Sequence, residues 1–172
     1  MPFTPFHFGP GLLGKGLAPR SYSWSAFVAS NVVIDCESFY YLERHEYPVH
    51  RQLHTFVGAA LVGVATIAFL LGVRSLLPSF RAWLGRASPL VRAEATPLGI
   101  SIGAMVGALS HPILDGLMHP DIEPFQPWSA ANPLRGLVSL PALHLGCVIA
   151  GVVGAGLLLV RRTRDDRDEQ RR

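Results

Sequence analysis

The chain is expected to be all-α: a polytopic membrane helical bundle of about four spanning helices plus a short N-terminal re-entrant or half-depth helix. Three observations predict this. No charged residue falls between Thr55 and Val73, or between Gly136 and Val160, and each stretch, coiled as a helix, is long enough to cross a hydrocarbon core about 30 Å thick. With 49% hydrophobic residues, 16% charged and a positive mean hydropathy, the 172-residue chain fits one domain of the membrane class better than a soluble one. Glycines recur along the apolar segments, at Gly58, Gly63, Gly72, Gly99, Gly103, Gly107, Gly151 and Gly154, and small residues of this kind let membrane helices approach closely. The single domain is expected over residues 1–160, with a charged cytoplasmic tail over 161–172.

The elements follow in order. The opening "MPFTPFHFGPG" lacks a basic region and a compact apolar core, so no cleavable signal peptide is expected. "FHFGPGLLGKGLAP" is too short and Gly-rich for a full span. It suits a half-depth helix with Pro10 near its start, descending to Lys15 and Arg20. Ser21 to Ile34 is apolar and ends on Asp35 and Glu37. The span from Thr55 to Val73 is opened by His50 and His54. Pro97 to Leu114 is uncharged but carries Ser110 and His111, and Pro112 inside it frees the carbonyl of Ala108 and bends the axis. The last span, Gly136 to Val160, holds His144, read as a structural hydrogen-bonding residue. The tail "RRTRDDRDEQRR" has both signs and nothing apolar to bury, so it reads as a solvated extension. Cys36 and Cys147 lack any CxxC spacing and read as small apolar packers.

Charge sets the orientation. Two basic residues precede the Ser21 helix, four lie in the second connection between spans and six in the tail, twelve on one side against three on the other. The arginine-rich side is therefore expected to be cytoplasmic.

The remaining ionisable residues gather at the opposite end. His7 starts the first helix, Asp35 and Glu37 end the second, His50 and His54 open the third, and His111, Asp115 and His119 finish the fourth. Residues four apart share a helix face, so "HRQLH" aligns His50 with His54 and "HPILD" aligns His111 with Asp115. Imidazole and carboxylate together make the ligand mixture that zinc, manganese or iron accepts. "SHPILDGLMHPD" therefore looks like half of a metal site. Carboxylates at the edge of a bilayer are costly and tend to mark function. His45, among Glu43, Arg44 and Glu46, reads as a solvated loop residue.

The ordered set His7, Asp35 with Glu37, "HRQLHT", then "SHPILDGLMHP" followed by "FQPWS", resembles the YdjM-like, LexA-regulated group of membrane-bound metal-dependent hydrolases, over roughly Pro5 to Leu145. The resemblance implies metal roles for His7, Asp35, His50, His54, His111 and Asp115, in a bacterial inner (plasma) membrane. Glu37 stands where that family usually has a second Asp. More distantly, the order His, Asp, His, H-x-x-x-D is similar to zinc-dependent phospholipase C and the S1/P1 nucleases, phosphoester hydrolases on an all-α fold.

Six candidate ligands exceed the three or four of one catalytic zinc, so one to three divalent ions are expected. Asp35, Glu37, Arg51 and Asp121 are the candidate catalytic residues. Arg51 is placed to steady a phosphate oxygen or to contact a headgroup, and Asp121 to ligate metal or to accept from a ligand His. With Glu123 and Trp128, Asp121 belongs to a Pro-rich strip expected to cap the site. The function these features suggest is hydrolysis of a phosphoester or related bond in a lipid or lipid-linked substrate, with no nucleic-acid partner. The alternatives are a non-enzymatic metal or proton translocator, or a structural bundle; a translocator would place its polar groups near mid-membrane and show an internal repeat.

The charge asymmetry yields a test. A tag at Arg172 in intact cells is expected to stay unlabelled by an impermeant reagent until the membrane is opened; labelling from outside reverses the orientation.

Overall fold

A computed structural model describes residues 5–77, 85 and 89–170, and every regular element among them is helical. A 3-10 turn over Pro5–His7 leads into α1 (Phe8–Leu17), followed by α2 (Trp24–Glu43), a 3-10 turn over Gln52–His54, α3 (Phe56–Leu76), the short α4 (Pro89–Glu94), α5 (Pro97–Met118) and α6 (Leu140–Gln170). Side-chain caps start three of them. The hydroxyl of Ser23 accepts from the Ala26 amide, Thr55 from Gly58 and Thr96 from Gly99, the last followed by Pro97, whose missing N–H costs nothing at a first helical position.

Three helices are long and apolar enough to cross a membrane: Phe56–Leu76, Pro97–Met118 and Leu140–Arg164. Only 11% of the apolar stretch in the last is buried within the chain. Large apolar side chains such as Leu61, Val64, Phe69, Val152 and Leu159 face outward, while His54, His111 and Asn31 are enclosed. That inversion of the soluble pattern supports a multi-pass membrane protein.

Several expectations change. The second helix does not stop at Ile34 but continues to Glu43, so Asp35 and Glu37 lie inside it; with Asn31 and Ser38 also along its length, it is not among the helices apolar enough to span. His50 and His54 do not share a helix face. His50 precedes a 3-10 turn that ends on His54, and the true helix start is Thr55. Lys15, expected at the foot of the first helix, is buried there, donates to the carbonyls of Pro19 (2.9 Å) and Tyr22 (2.8 Å), and pairs with Glu94. Cys147 is buried, but Cys36 is exposed. The charged tail continues the last helix, since α6 runs on to Gln170.

The core is the contact between α2 and α5, which run parallel and meet through rows of residues four apart. A Cβ on Gly103 would lie 2.1 Å from the Ser23 carbonyl oxygen, and one on Gly107 2.6 Å from that of Phe27. Glycine at these two positions permits backbone approach that any side chain would prevent. One turn further along both helices, His111 meets Asn31. Antiparallel α3 closes over both helices: Ala59 and Val62 pack with Ile34 and Ala108 toward the site, and Ile67, Leu70 and Leu71 pack against Ala26, Ile100 and Ala104 further away.

Alongside, α1 runs parallel to α6. Phe6 stacks on His144 at 4.0 Å, Gly9 abuts the Cys147 carbonyl and Gly16 that of Gly154. The His7 end of α1 is thus held at the same end of the molecule as the C-terminal part of α5.

Gly103→Ala is expected to destabilise the protein by about 1–3 kcal/mol, because backbone must shift to admit the methyl. Gly72→Ala, where an added Cβ meets nothing within 4 Å, is expected to be neutral or to stabilise by up to about 1 kcal/mol. Thermal unfolding of both variants in detergent checks the pair; equal effects would remove the close α2–α5 approach from the account.

Candidate metal centre

The ridge of α5 that carries Gly103 and Gly107 continues through His111, Asp115 and, at its C-cap, His119. The facing row of α2 continues from Phe27 through Asn31 to Asp35. The register that seats glycine against backbone therefore delivers Asn31 and Asp35 to His111 and Asp115. Pro112, inside this helix, is fully buried.

The side chains converge. Nε2 of His111 lies 3.3 Å from Oδ1 of Asp35 and 3.2 Å from Oδ2 of Asp115. Nε2 of His54 lies 3.7 Å from the same Asp115 oxygen. One ligand atom from each of Asp35, His54, His111 and Asp115 can be chosen so that all four fall within 4.8 Å of one another. Ligand bonds of about 2.0–2.2 Å to one ion require separations no larger than about 4.4 Å, so a small inward adjustment meets the geometry. All four residues are buried, His111 completely. His7 joins them from α1: its Nε2 lies 2.9 Å from Oδ1 of Asp115, and its ring stacks on that of His111 at 4.5 Å.

What surrounds the cluster is as informative as the cluster. His54 shares its Nδ1 with Glu37 (3.1 Å), His111 its Nδ1 with the Asn31 side-chain oxygen (2.9 Å), and His50 its Nδ1 with Asp121 (2.9 Å). An acceptor on Nδ1 holds the proton there and turns the Nε2 lone pair outward, which is how ligand histidines are usually oriented. Glu37 is fixed in turn by the backbone amides of Arg51 and Leu53, each at 3.1 Å. Nε2 of His111 and Oδ1 of Asp115 are buried and, despite close neighbours, make no hydrogen bond of proper geometry. Buried polar atoms left in this state call for an explanation, and an ion is one.

Protonation follows the same direction outside the spanning segments. Burial, aided by the charges of His111 and His50, holds His54 below the ordinary imidazole range against the pull of Glu37. Burial likewise lowers His119. Asp121 is penalised by burial, but its hydrogen bond and charge interaction with His50 outweigh that and keep it below the usual carboxylate range. Neutral imidazoles beside ionised carboxylates are the forms a cation needs.

Of the remaining candidates, His50 stands in a second grouping with Asp115 and His119. Glu37 and Asp121 bond to histidines rather than facing the centre. Arg51 turns elsewhere: its guanidinium lies 3.5 Å over the Tyr41 ring, donates to the Pro48 carbonyl and pairs with Glu46. The strip after α5 does pack down, with Ile122 and Pro124 buried and the Pro124 carbonyl accepting from the Phe56 amide. Glu123, however, bonds Gln126, and Trp128 is 79% exposed. His45 sits exposed in the turn after α2. The residues that spacing alone did not single out are Asn31, four before Asp35, and His119, four after Asp115; extending each row by one step reaches both.

No protein-family model, curated protein or solved structure matches the chain. The geometry therefore carries the interpretation by itself: a buried Asp/His cluster consistent with a general metal-binding, hydrolase-type site.

Asn31→Leu removes the acceptor from Nδ1 of His111 without opening a void. It is expected to cost about 1–3 kcal/mol through the donor left unsatisfied. Thermal unfolding in detergent measures it, and an unchanged transition would show that Asn31 does not orient the ring.

Proposed function

We propose that the protein is an integral-membrane, metal-dependent hydrolase in which Asp35, His54, His111 and Asp115, with His7 against Asp115, hold a divalent ion, zinc in the first instance and manganese or iron as alternatives. The observation that carries the reading is the oriented pair of histidines: His54 and His111 each have Nδ1 engaged by an acceptor, Nε2 of His111 faces Asp35 and Asp115, and Nε2 of His54 lies between the Ser38 hydroxyl (3.3 Å) and Asp115 (3.7 Å). Nε2 of His111 stands between Asp35 and Asp115 without a hydrogen bond of proper geometry to either, an arrangement that a cation would complete. A bound ion of this type supplies Lewis acidity and lowers the pKa of water, the chemistry of phosphoester and related hydrolysis.

The roles of the chain's own groups follow. Asp35 and Asp115 bring the negative charge that makes a dication favourable in a low-dielectric setting. Glu37 and Asp121 act through the histidines they orient, as positioning residues. Arg51 would have to leave Tyr41 before it could steady a substrate oxygen. A lipid-like substrate suits the surroundings: an open cavity of about 740 Å³ is lined by Tyr47, Val49, His50, His119 and Asp121, and an apolar groove of about 310 Å³ runs between α1 and α6 along Phe6, Leu12, Val148 and Val152. Membership of the YdjM-like hydrolases, a fourth span formed by α2, and a site on the extracytoplasmic face with the C-terminus in the cytoplasm belong to the same proposal. Gathering of the ionisable groups at one end of the bundle argues against a translocator.

Asp115→Asn tests the proposal, since it preserves size and hydrogen bonding while removing charge. Purified wild type is expected to contain zinc or manganese by mass spectrometry, and the variant to lose at least tenfold in affinity with helicity by circular dichroism unchanged. Equal metal in both proteins would remove Asp115 from the site, and a metal-free wild type that cannot be loaded would end the hydrolase reading.

A further inference from the structure

We infer that a second divalent-cation subsite, formed by His50, His119 and a bridging Asp115, lies beside the first, and that this outer position is the one an anionic group of the substrate reaches. The inference rests on the metal reading proposed above and extends it. One ligand atom from each of His50, Asp115 and His119 lies within 4.8 Å of the others, and only Asp115 is shared with the inner set. A carboxylate has two oxygens to divide between two ions. Oδ2 of Asp115 is turned to His111 and His54, while Oδ1 points away from them and lies 2.9 Å from Nε2 of His7. The ring of His50 is fixed through Nδ1 by Asp121, which frees its Nε2, and it packs 4.6 Å from the ring of His119 and 4.7 Å from that of His54.

The two subsites differ in access. The 740 Å³ cavity is lined by His50, His119 and Asp121, and by none of Asp35, His54, His111 or Asp115. Asp35, His54 and His111 are buried, whereas His119 is only partly so. An ion on His50 and His119 faces the cavity, and an ion on Asp35, His54 and His111 sits behind it. Asp121, already bonded to His50, is the anion at the cavity wall. An anionic substrate group therefore needs the outer cation in order to approach at all.

The full-length protein, purified in detergent and loaded with Zn²⁺, is tested for stoichiometry by mass spectrometry and for metal loss to excess chelator over time. Two ions per chain and two kinetic phases are expected. Inorganic phosphate, the probe for the anionic group, should slow the fast phase severalfold and leave the slow phase alone. His119→Ala should hold one ion, lost in the slow phase only and insensitive to phosphate. A wild type that holds one ion, released in a single phase and retained in full by His119→Ala, overturns the second subsite and leaves the inner centre standing. A wild type that binds none overturns both. Loss of both ions from a His119→Ala protein of unchanged helicity overturns the idea of separable subsites. Two phases that phosphate does not affect overturn the substrate-facing assignment. The wild-type time course decides the matter even where the variant does not fold.

Discussion

Everything at the candidate centre depends on how closely α2 and α5 can run side by side. Backbone of one helix touches backbone of the other at Ser23 with Gly103 and at Phe27 with Gly107, distances that exclude even a methyl group. Close approach in parallel register leaves no freedom in what comes next: Asn31 must meet His111, and Asp35 must stand against the next turn of α5. The glycines therefore act as the ruler for a site that they do not touch. Van der Waals contact is the force available for this inside a bilayer, where lipid competes for every apolar surface.

The electrostatic side explains why such a ruler is needed. Carboxylates removed from water cost several kcal/mol each even after relaxation, and Asp35 and Asp115 are buried within reach of one another. Histidines offset part of that cost, but they are oriented with Nε2 inward, and burial disfavours the charged form of His54. A dication between the groups balances the charge without protonating any of them, provided the ligands cannot drift apart. At the other end of the bundle the same problem has a purely covalent-chain solution: Lys15 is matched to Glu94, and the remaining oxygens and hydrogens are satisfied by Ser23, Ser25, Pro19 and Tyr22. At that end the buried charge is matched within the chain, and at the other the carboxylates outnumber what the chain offers them.

The uncharged stretches of α3, α5 and α6 were readable because hydropathy is a sum over residues, and so was the gathering of ionisable residues at one end, because an antiparallel return places alternate helix ends together. What averaging cannot register is direction. In α2 the polar residues Asn31, Asp35 and Ser38 all turn inward, yet they lower its hydropathy as much as if they faced lipid, so both its length and its character were harder to infer. The four-residue interval from His50 to His54 suggested a helical turn, whereas Arg51 is non-helical, a 3-10 turn follows it, and Thr55 offers the real cap. Their convergence survives on a different local backbone. Asp121 was expected as an acceptor for a ligand histidine and holds His50, but Asn31 was out of reach: it is distant in sequence from the His111 ring, and only packing brings it there.

The parallel pairing of α1 with α6 has a consequence for how the molecule is made. Ten residues are too few for α1 to hold a place in a bilayer by itself, and its principal packing surface, from His144 to Arg161, is synthesised more than a hundred residues later. The inner carboxylates and histidines of α2 and α5 can meet as soon as α5 is in place. His7, just ahead of α1, is held beside Asp115 by a helix that packs on α6, so the centre is complete only once a segment more than a hundred residues further along the chain is in place.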